Sequence, residues 1–97
     1  MTPAEEAVDR ELHIAEGFAR ADKPSAAVAR LRLLARRLKR ASPGLPGPAR
    51  AQLLARVSQA EAHYRREAEA WEAGVRERAA RYRAREEEAA RSRRAED

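Results

Sequence analysis

Apolar residues recur at steps of three and four along most of the chain, which is the spacing of one face of an α-helix. Two stretches interrupt the pattern, ADKPSA at 21–26 and SPGLPGP at 42–48. The second holds three prolines and two glycines in seven residues, which is incompatible with a helix interior. The pattern therefore predicts three helices, over residues 3–21, 23–41 and from residue 48 onward.

The starts of the first two predicted helices carry residues that are typical of helix caps. Thr2 is followed by Pro3 and then by Glu5, three positions after the threonine, as in a capping box. Asp22 is predicted to cap the second helix. Pro24 would then stand in its first turn, where the missing N–H costs nothing.

Each of the first two helices has one apolar face. In the first helix the face consists of Ala4, Val8, Leu12, Ala15 and either Phe18 or Ala19. In the second helix it consists of Ala27, Val28, Leu31, Leu34, Ala35 and Leu38. Leu33 lies away from this face, among the basic residues, and is therefore a candidate for contact with another molecule.

The third segment carries two interleaved series of residues spaced by seven. One series is Val57, Tyr64 and Trp71, and the other is Ala68, Val75, Tyr82 and Ala89. Interleaved series of this kind form a heptad-like seam. Past residue 76 the support for the helix comes from glutamate–arginine pairs at i, i+4. These pairs are Glu72–Arg76, Glu77–Arg81 and Glu87–Arg91.

Helix lengths indicate which part of the seam this chain can cover by itself. The first two helices have about 19 residues each, so each is roughly 28 Å long. A third helix antiparallel to the second covers that distance by residue 66 or 67. The expected fold is all-α, with an antiparallel three-helix bundle over residues 1–75. A charged helical extension over 76–97 would protrude from the bundle and fray at its C-terminus.

The comparison of helix lengths also separates the large apolar residues of the third helix into those inside and those outside the bundle. We expect Tyr64 to lie within the bundle and Trp71 at its edge, most simply as a cap over the first turn. Val75 and Tyr82 lie beyond the other two helices. An apolar seam there requires a partner helix, from a second copy of the chain or from another protein. The predicted partner-binding residues are Leu33, Tyr64, Trp71, Val75 and Tyr82.

Composition supports a helical chain and argues against an enzyme. The 97 residues are 38% charged and only 4% aromatic, and they include no cysteine. Thiol nucleophiles, disulfides and thiolate metal sites are therefore excluded. Neither His13 nor His63 belongs to a metal or catalytic motif. We expect no enzymatic activity, cofactor or metal. Because no secretion signal or membrane span is recognisable, we expect a cytoplasmic location.

Charge is distributed unevenly, since residues 23–45 hold seven bases and no acid. These bases suggest an alternative function, the electrostatic binding of nucleic acid or of an anionic membrane. The candidate anion-binding residues are Arg30, Arg32, Arg36, Arg37, Lys39 and Arg40. The simpler interpretation is that this face is solvated or pairs with the acids of the first helix. We favour it because no aromatic residues interleave with the arginines to stack on bases.

The first 41 residues resemble a tetratricopeptide-type helical hairpin. Ile14, Ala15 and Phe18 match its first helix, Asp22 its turn, and Ala27 the small residue of its second helix. Leu31 stands where that pattern has an aromatic residue, and Leu34 where it has a small one. One such hairpin closed by a third helix is similar to a microtubule-interacting and trafficking (MIT) domain, over roughly residues 4–75. The resemblance implies an adaptor that binds partner helices or tails in the grooves between its helices.

Overall fold

A computed structural model describes residues 2–40 and 45–96 of the chain. These residues form three α-helices: α1 (Pro3–Arg20), α2 (Pro24–Lys39) and α3 (Gly47–Glu96). No strand occurs within the described ranges, so the predicted all-α class with a long third helix is confirmed. Residues 41–44, which include the first three residues of the predicted second interruption at 42–48, lie outside the described residues.

The ion pairs and grooves between the helices show in which direction each helix runs relative to the other two. Arg32 in the middle of α2 pairs with Glu61, while Ser25, at the start of α2, lies beside Ala68, further along α3. These two helices are therefore antiparallel. By contrast, Asp9 of α1 pairs with Arg56, and the end of α1 lies beside Glu67. Helices α1 and α3 are therefore parallel, with α2 antiparallel to both.

The core is small and lies between the three helices. Its centre consists of Val8, Leu31 and Val57, one from each helix, which are the largest fully buried side chains of the described residues. Alanine and leucine supply most of the rest. The buried core cluster comprises Val8, Ala15, Ala27, Leu31, Leu34, Leu38, Leu53 and Val57. All of these positions except Leu53 belong to the apolar faces that the periodicity predicts.

The predicted cap at the start of α1 is confirmed for Thr2, which is its N-cap, but the reciprocal bond of a capping box, from the Thr2 N–H to the Glu5 carboxylate, is not among the hydrogen bonds of the described residues. The backbone N–H of Glu5 donates to Oγ1 of Thr2 over 3.2 Å. This bond satisfies one of the free N–H groups of the first turn.

The prediction for Asp22 is wrong, because this residue belongs to the turn that terminates α1 and does not cap α2. Asp22 has a φ of 60°, in the left-handed region, and Lys23 is the N-cap of α2 without a side-chain hydrogen bond. The N–H of Asp22 donates to the carbonyl of Ala19, and the N–H of Lys23 donates to that of Phe18. These two bonds form a Schellman motif, in which a left-handed residue follows the helix end. An N-cap requires a different backbone conformation, usually an extended one.

Helix α3 extends far beyond the other two helices. Its 50 residues correspond to about 75 Å, close to the longest dimension of the molecule, 78 Å. Ala68 is the last buried residue along it, at the level where α1 ends and α2 begins. From residue 69 to residue 96 no side chain is buried. We refer to residues 71–96 as the α3 extension.

Candidate interaction surface

Four large apolar side chains are exposed in the described part of the chain. They are Leu33, Trp71, Val75 and Tyr82, with exposed fractions of 46%, 49%, 37% and 63%. All four were predicted as partner-binding residues from the sequence. Leu33 lies alone on α2, whereas the other three lie on the α3 extension. The structure therefore places most of the predicted surface on one element.

The three exposed residues of the extension continue the face of α3 that packs in the bundle. A helix turns by about 100° per residue, so residues seven apart differ by only about 20° in direction. Val57 and Ala68 are buried, whereas Val75 and Tyr82, which follow Ala68 at steps of seven, are exposed. We call the exposed residues Trp71, Val75 and Tyr82 the apolar stripe.

Tyr64 belongs to the bundle and not to the apolar stripe. It is partly buried and packs against the core cluster. Its ring makes an edge contact with His63, with the ring centroids 5.2 Å apart. Burial raises the pKa of the Tyr64 hydroxyl, and the charges of Glu16 and Glu67 raise it further. Of the five predicted partner-binding residues, Tyr64 is thus the one that the other helices already cover.

Trp71 is less buried than the predicted cap over the first turn requires. About half of its surface is exposed, and it is not among the residues that pack against the core in the described ranges. The helices α1 and α2 end before they can cover it. Trp71 therefore begins the exposed stripe.

The sequence analysis missed Ala79, which completes this surface. Ala79 is exposed and stands four residues after Val75 and three before Tyr82, so it lies between them on the same helix face. A helical-wheel test of the small residues would have found it. The stripe is thus continuous over more than three helical turns.

Charge is segregated along the α3 extension. Residues 76–85 hold five arginines and one glutamate, and residues 86–88 are three glutamates. Of the three predicted i, i+4 pairs, the ion pair between Glu77 and Arg81 is formed. The ion pairs of the described residues do not include Glu72–Arg76 or Glu87–Arg91. Most charges of the extension therefore face solvent.

The basic residues of α2 divide into two groups. Arg30 donates to both carboxylate oxygens of Glu11, over 2.6 and 3.2 Å, and Arg32 donates to Glu61 over 2.8 Å. The hydrogen bonds from Arg30 hold the pKa of the Glu11 carboxyl below its ordinary value. The other four candidate anion-binding residues of α2 are exposed and form no ion pair with a described residue. They are Arg36, Arg37, Lys39 and Arg40.

The described residues provide no group of three His, Asp or Glu side chains that could hold a metal ion. His63 lies 3.0 Å from the carboxylate of Glu67, and the two side chains form an i, i+4 pair on the surface.

Within the described ranges, none of the helices combines the length and the apolar character needed to cross a bilayer.

The grooves between the helices are shallow and bordered by charged residues. The groove between α2 and α3 is lined by Val28, Arg32, Arg65 and Glu69, among others.

Comparison of the chain with protein-family models, curated proteins and solved structures found no match. The resemblance to an MIT domain, and binding in these grooves, therefore stay predictions.

Proposed function

We propose that this chain is a non-enzymatic interaction or assembly module. Its α3 extension associates with another helix through Trp71, Val75 and Tyr82, either on a partner protein or on a second copy of the chain. The observation that supports this proposal is the continuation of the core-facing side of α3 into solvent, with three large apolar residues exposed along it.

The physical argument rests on the arrangement of these residues and not on their number. Single exposed apolar side chains are normal on protein surfaces. Trp71, Val75 and Tyr82, by contrast, share one face of the α3 extension, and no described residue of α1 or α2 buries that face. A second helix laid on that face would remove the stripe from water and extend the packing of the bundle.

A pair of double variants tests the proposal. In Val75→Glu/Tyr82→Glu, charges replace two of the three residues of the apolar stripe. In the control, Ala80→Glu/Ala84→Glu, the same charges enter exposed positions on the opposite face of α3. Circular dichroism should show a folded helical protein in both cases, since none of these residues is in the core.

The expected result is that the wild-type chain and the control self-associate or retain the same bound proteins in a pull-down. The stripe variant should lose this association. Light scattering measures self-association. Mass spectrometry identifies the proteins that are captured in the pull-down. If wild type, stripe variant and control are all monomeric and capture the same proteins, the proposal is wrong.

A second candidate function is electrostatic binding of nucleic acid or an anionic membrane through α2. The observation that favours it is the group of four exposed bases that form no ion pair with a described residue, Arg36, Arg37, Lys39 and Arg40. Binding of duplex DNA or of phosphatidylserine vesicles should then weaken steeply with salt. An Arg36→Gln/Arg37→Gln/Arg40→Gln variant should bind more weakly and with a smaller salt slope. Absence of binding at low salt would exclude this function.

A further inference from the structure

We propose that the helix that covers the apolar stripe is the α3 extension of a second copy of this chain, packed antiparallel and centred near Tyr82. This inference rests on the proposed function of the extension and specifies its partner. The argument combines the charge pattern of the extension with the position of the stripe.

Unlike a parallel pair in register, an antiparallel pair of extensions brings opposite charges together. Residues 76–85 carry a net charge of +4, and residues 86–88 carry −3. A parallel pair in register would place each block against its own copy, with Arg78 beside Arg78 and Arg85 beside Arg85. An antiparallel pair centred at Tyr82 brings Glu86 and Glu88 of each copy to the level of Arg78 and Arg76 of the other, and it does so twice because of the two-fold symmetry.

The position of the stripe fixes the centre of the pair. With the two-fold axis near Tyr82, Val75 lies opposite Ala89 of the second copy, and Arg78 lies opposite Glu86. The indole of Trp71 then faces Arg93, a favourable combination of an aromatic face and a guanidinium. Every large apolar residue of the extension lies within this overlap.

The length of the extension fits the same arrangement. The overlap runs from Trp71 to Arg93 on each copy, a distance of roughly 33 Å. The end of each α3 then reaches the level at which the α1–α2 hairpin of the other copy begins. The core-facing side of each α3 is therefore covered along its length, first by α1 and α2 and then by the second copy. Such an arrangement closes at two chains and leaves no apolar stripe for a third.

Charge exchange tests the pairing. One variant carries Glu86→Arg and Glu88→Arg, and the other carries Arg76→Glu and Arg78→Glu, the residues that lie opposite them on the second copy. Each alone should dimerise more weakly than wild type by on the order of tenfold, because like charges then face each other. An equimolar mixture should form a heterodimer with about the wild-type affinity. Sedimentation equilibrium measures the dissociation constants of the two variant homodimers and of the heterodimer.

Cross-linking tests the direction. The chain has no cysteine, so Val75→Cys and Ala89→Cys each introduce a single thiol. In the antiparallel pair these two positions face each other, whereas in a parallel pair they lie about 21 Å apart along the axis. A short bismaleimide should therefore join Val75→Cys to Ala89→Cys in a mixture. It should join neither variant to itself.

The outcomes separate this inference from the function on which it rests. A dimer in which each single-cysteine variant joins only to itself would be parallel, which would overturn the inference but keep the extension as an association surface. A wild-type chain that stays monomeric at millimolar concentration would also overturn the inference. In that case, loss of a captured protein only in Val75→Glu/Tyr82→Glu would keep the proposed function, with a different partner.

Discussion

At the scale of single residues, Asp22 has the least favourable backbone conformation of the described chain. It is the only described non-glycine residue with a positive φ, at 60°. Left-handed backbone is costly for a residue with a Cβ, although aspartate tolerates it better than most residues. The turn between α1 and α2 therefore loses some stability at this position.

Replacing Asp22 by glycine should stabilise the fold by about 0.5–1 kcal/mol, since the relief of strain exceeds the greater freedom of glycine in the unfolded chain. Urea denaturation followed by circular dichroism measures the change. Asp22→Ala is the matched control, because it keeps the Cβ and removes the carboxylate. The explanation fails if the alanine variant is as stable as the glycine variant.

The Glu11–Arg30 pair predicts how stability responds to acid. The folded-state pKa of Glu11 lies below its ordinary value, chiefly because Arg30 donates hydrogen bonds to it. As pH falls, the unfolded carboxyl therefore binds its proton before the folded one does. The stabilisation is fully present above the unfolded-state pKa and is lost as pH falls through the folded-state pKa.

Wild type should accordingly be more stable than Glu11→Gln at pH 7, and the difference should shrink towards zero in acid. Urea denaturation at a series of pH values checks this. Glu69→Gln is a suitable control, since Glu69 is exposed, lies far from the helix ends and takes part in none of the ion pairs of the described residues. A difference between wild type and Glu11→Gln that stays constant down to pH 2 would contradict this account.

At the scale of the elements, α3 depends on two different sources of stability. Up to Ala68 it packs on α1 and α2, whereas beyond that residue its support comes from helix propensity and local ion pairs. Most of the stability of helices in proteins comes from packing against other elements, which the extension lacks in a single chain. Gly74 stands just past the junction, and glycine has a poor helix propensity.

Gly74→Ala should therefore slow amide hydrogen exchange in the extension, by up to about fivefold for a gain of about 1 kcal/mol. A methyl group at this position would make only an ordinary contact, 3.6 Å from Nη1 of Arg78. Gly17→Ala is the matched control, because its methyl group would meet nothing within 4 Å. It should raise the stability of the bundle and leave exchange in the extension unchanged. Equal slowing by both substitutions would contradict the division of α3.

The sequence was sufficient to predict what depends on periodicity. The apolar faces, the Thr2 cap and the exposure of Val75 and Tyr82 all follow from spacing and helix length. The part that Asp22 plays was not predictable in this way, because an aspartate after a helix end and one before a helix start look alike. The pairs Arg32–Glu61 and Arg56–Asp9 also required the structure, since they depend on how the helices are aligned along their axes.

At the scale of the whole molecule, the α3 extension gives the chain an elongated shape. The radius of gyration is 21.5 Å, whereas a compact chain of this length would have about 12.5 Å. An antiparallel dimer would carry one bundle at each end of a two-helix rod, with a total length of about 110 Å.

Small-angle scattering over a concentration series should therefore show a maximum dimension that rises from about 80 Å to about 110 Å as dimers form. A chain truncated after residue 75 should stay near the length of the bundle at every concentration. A wild-type dimer no longer than the single chain would contradict the end-to-end arrangement of the bundles.

The uninterrupted passage of α3 from bundle to extension also limits how this region can change in length. Because one helix carries both surfaces, inserting a single residue between Ala68 and Trp71 would leave both halves helical but rotate one against the other by about 100°. The stripe would then point away from the direction set by the bundle. An insertion or deletion of seven residues would change the direction by only about 20°. Related chains that keep this arrangement should therefore differ in the length of the extension by heptads.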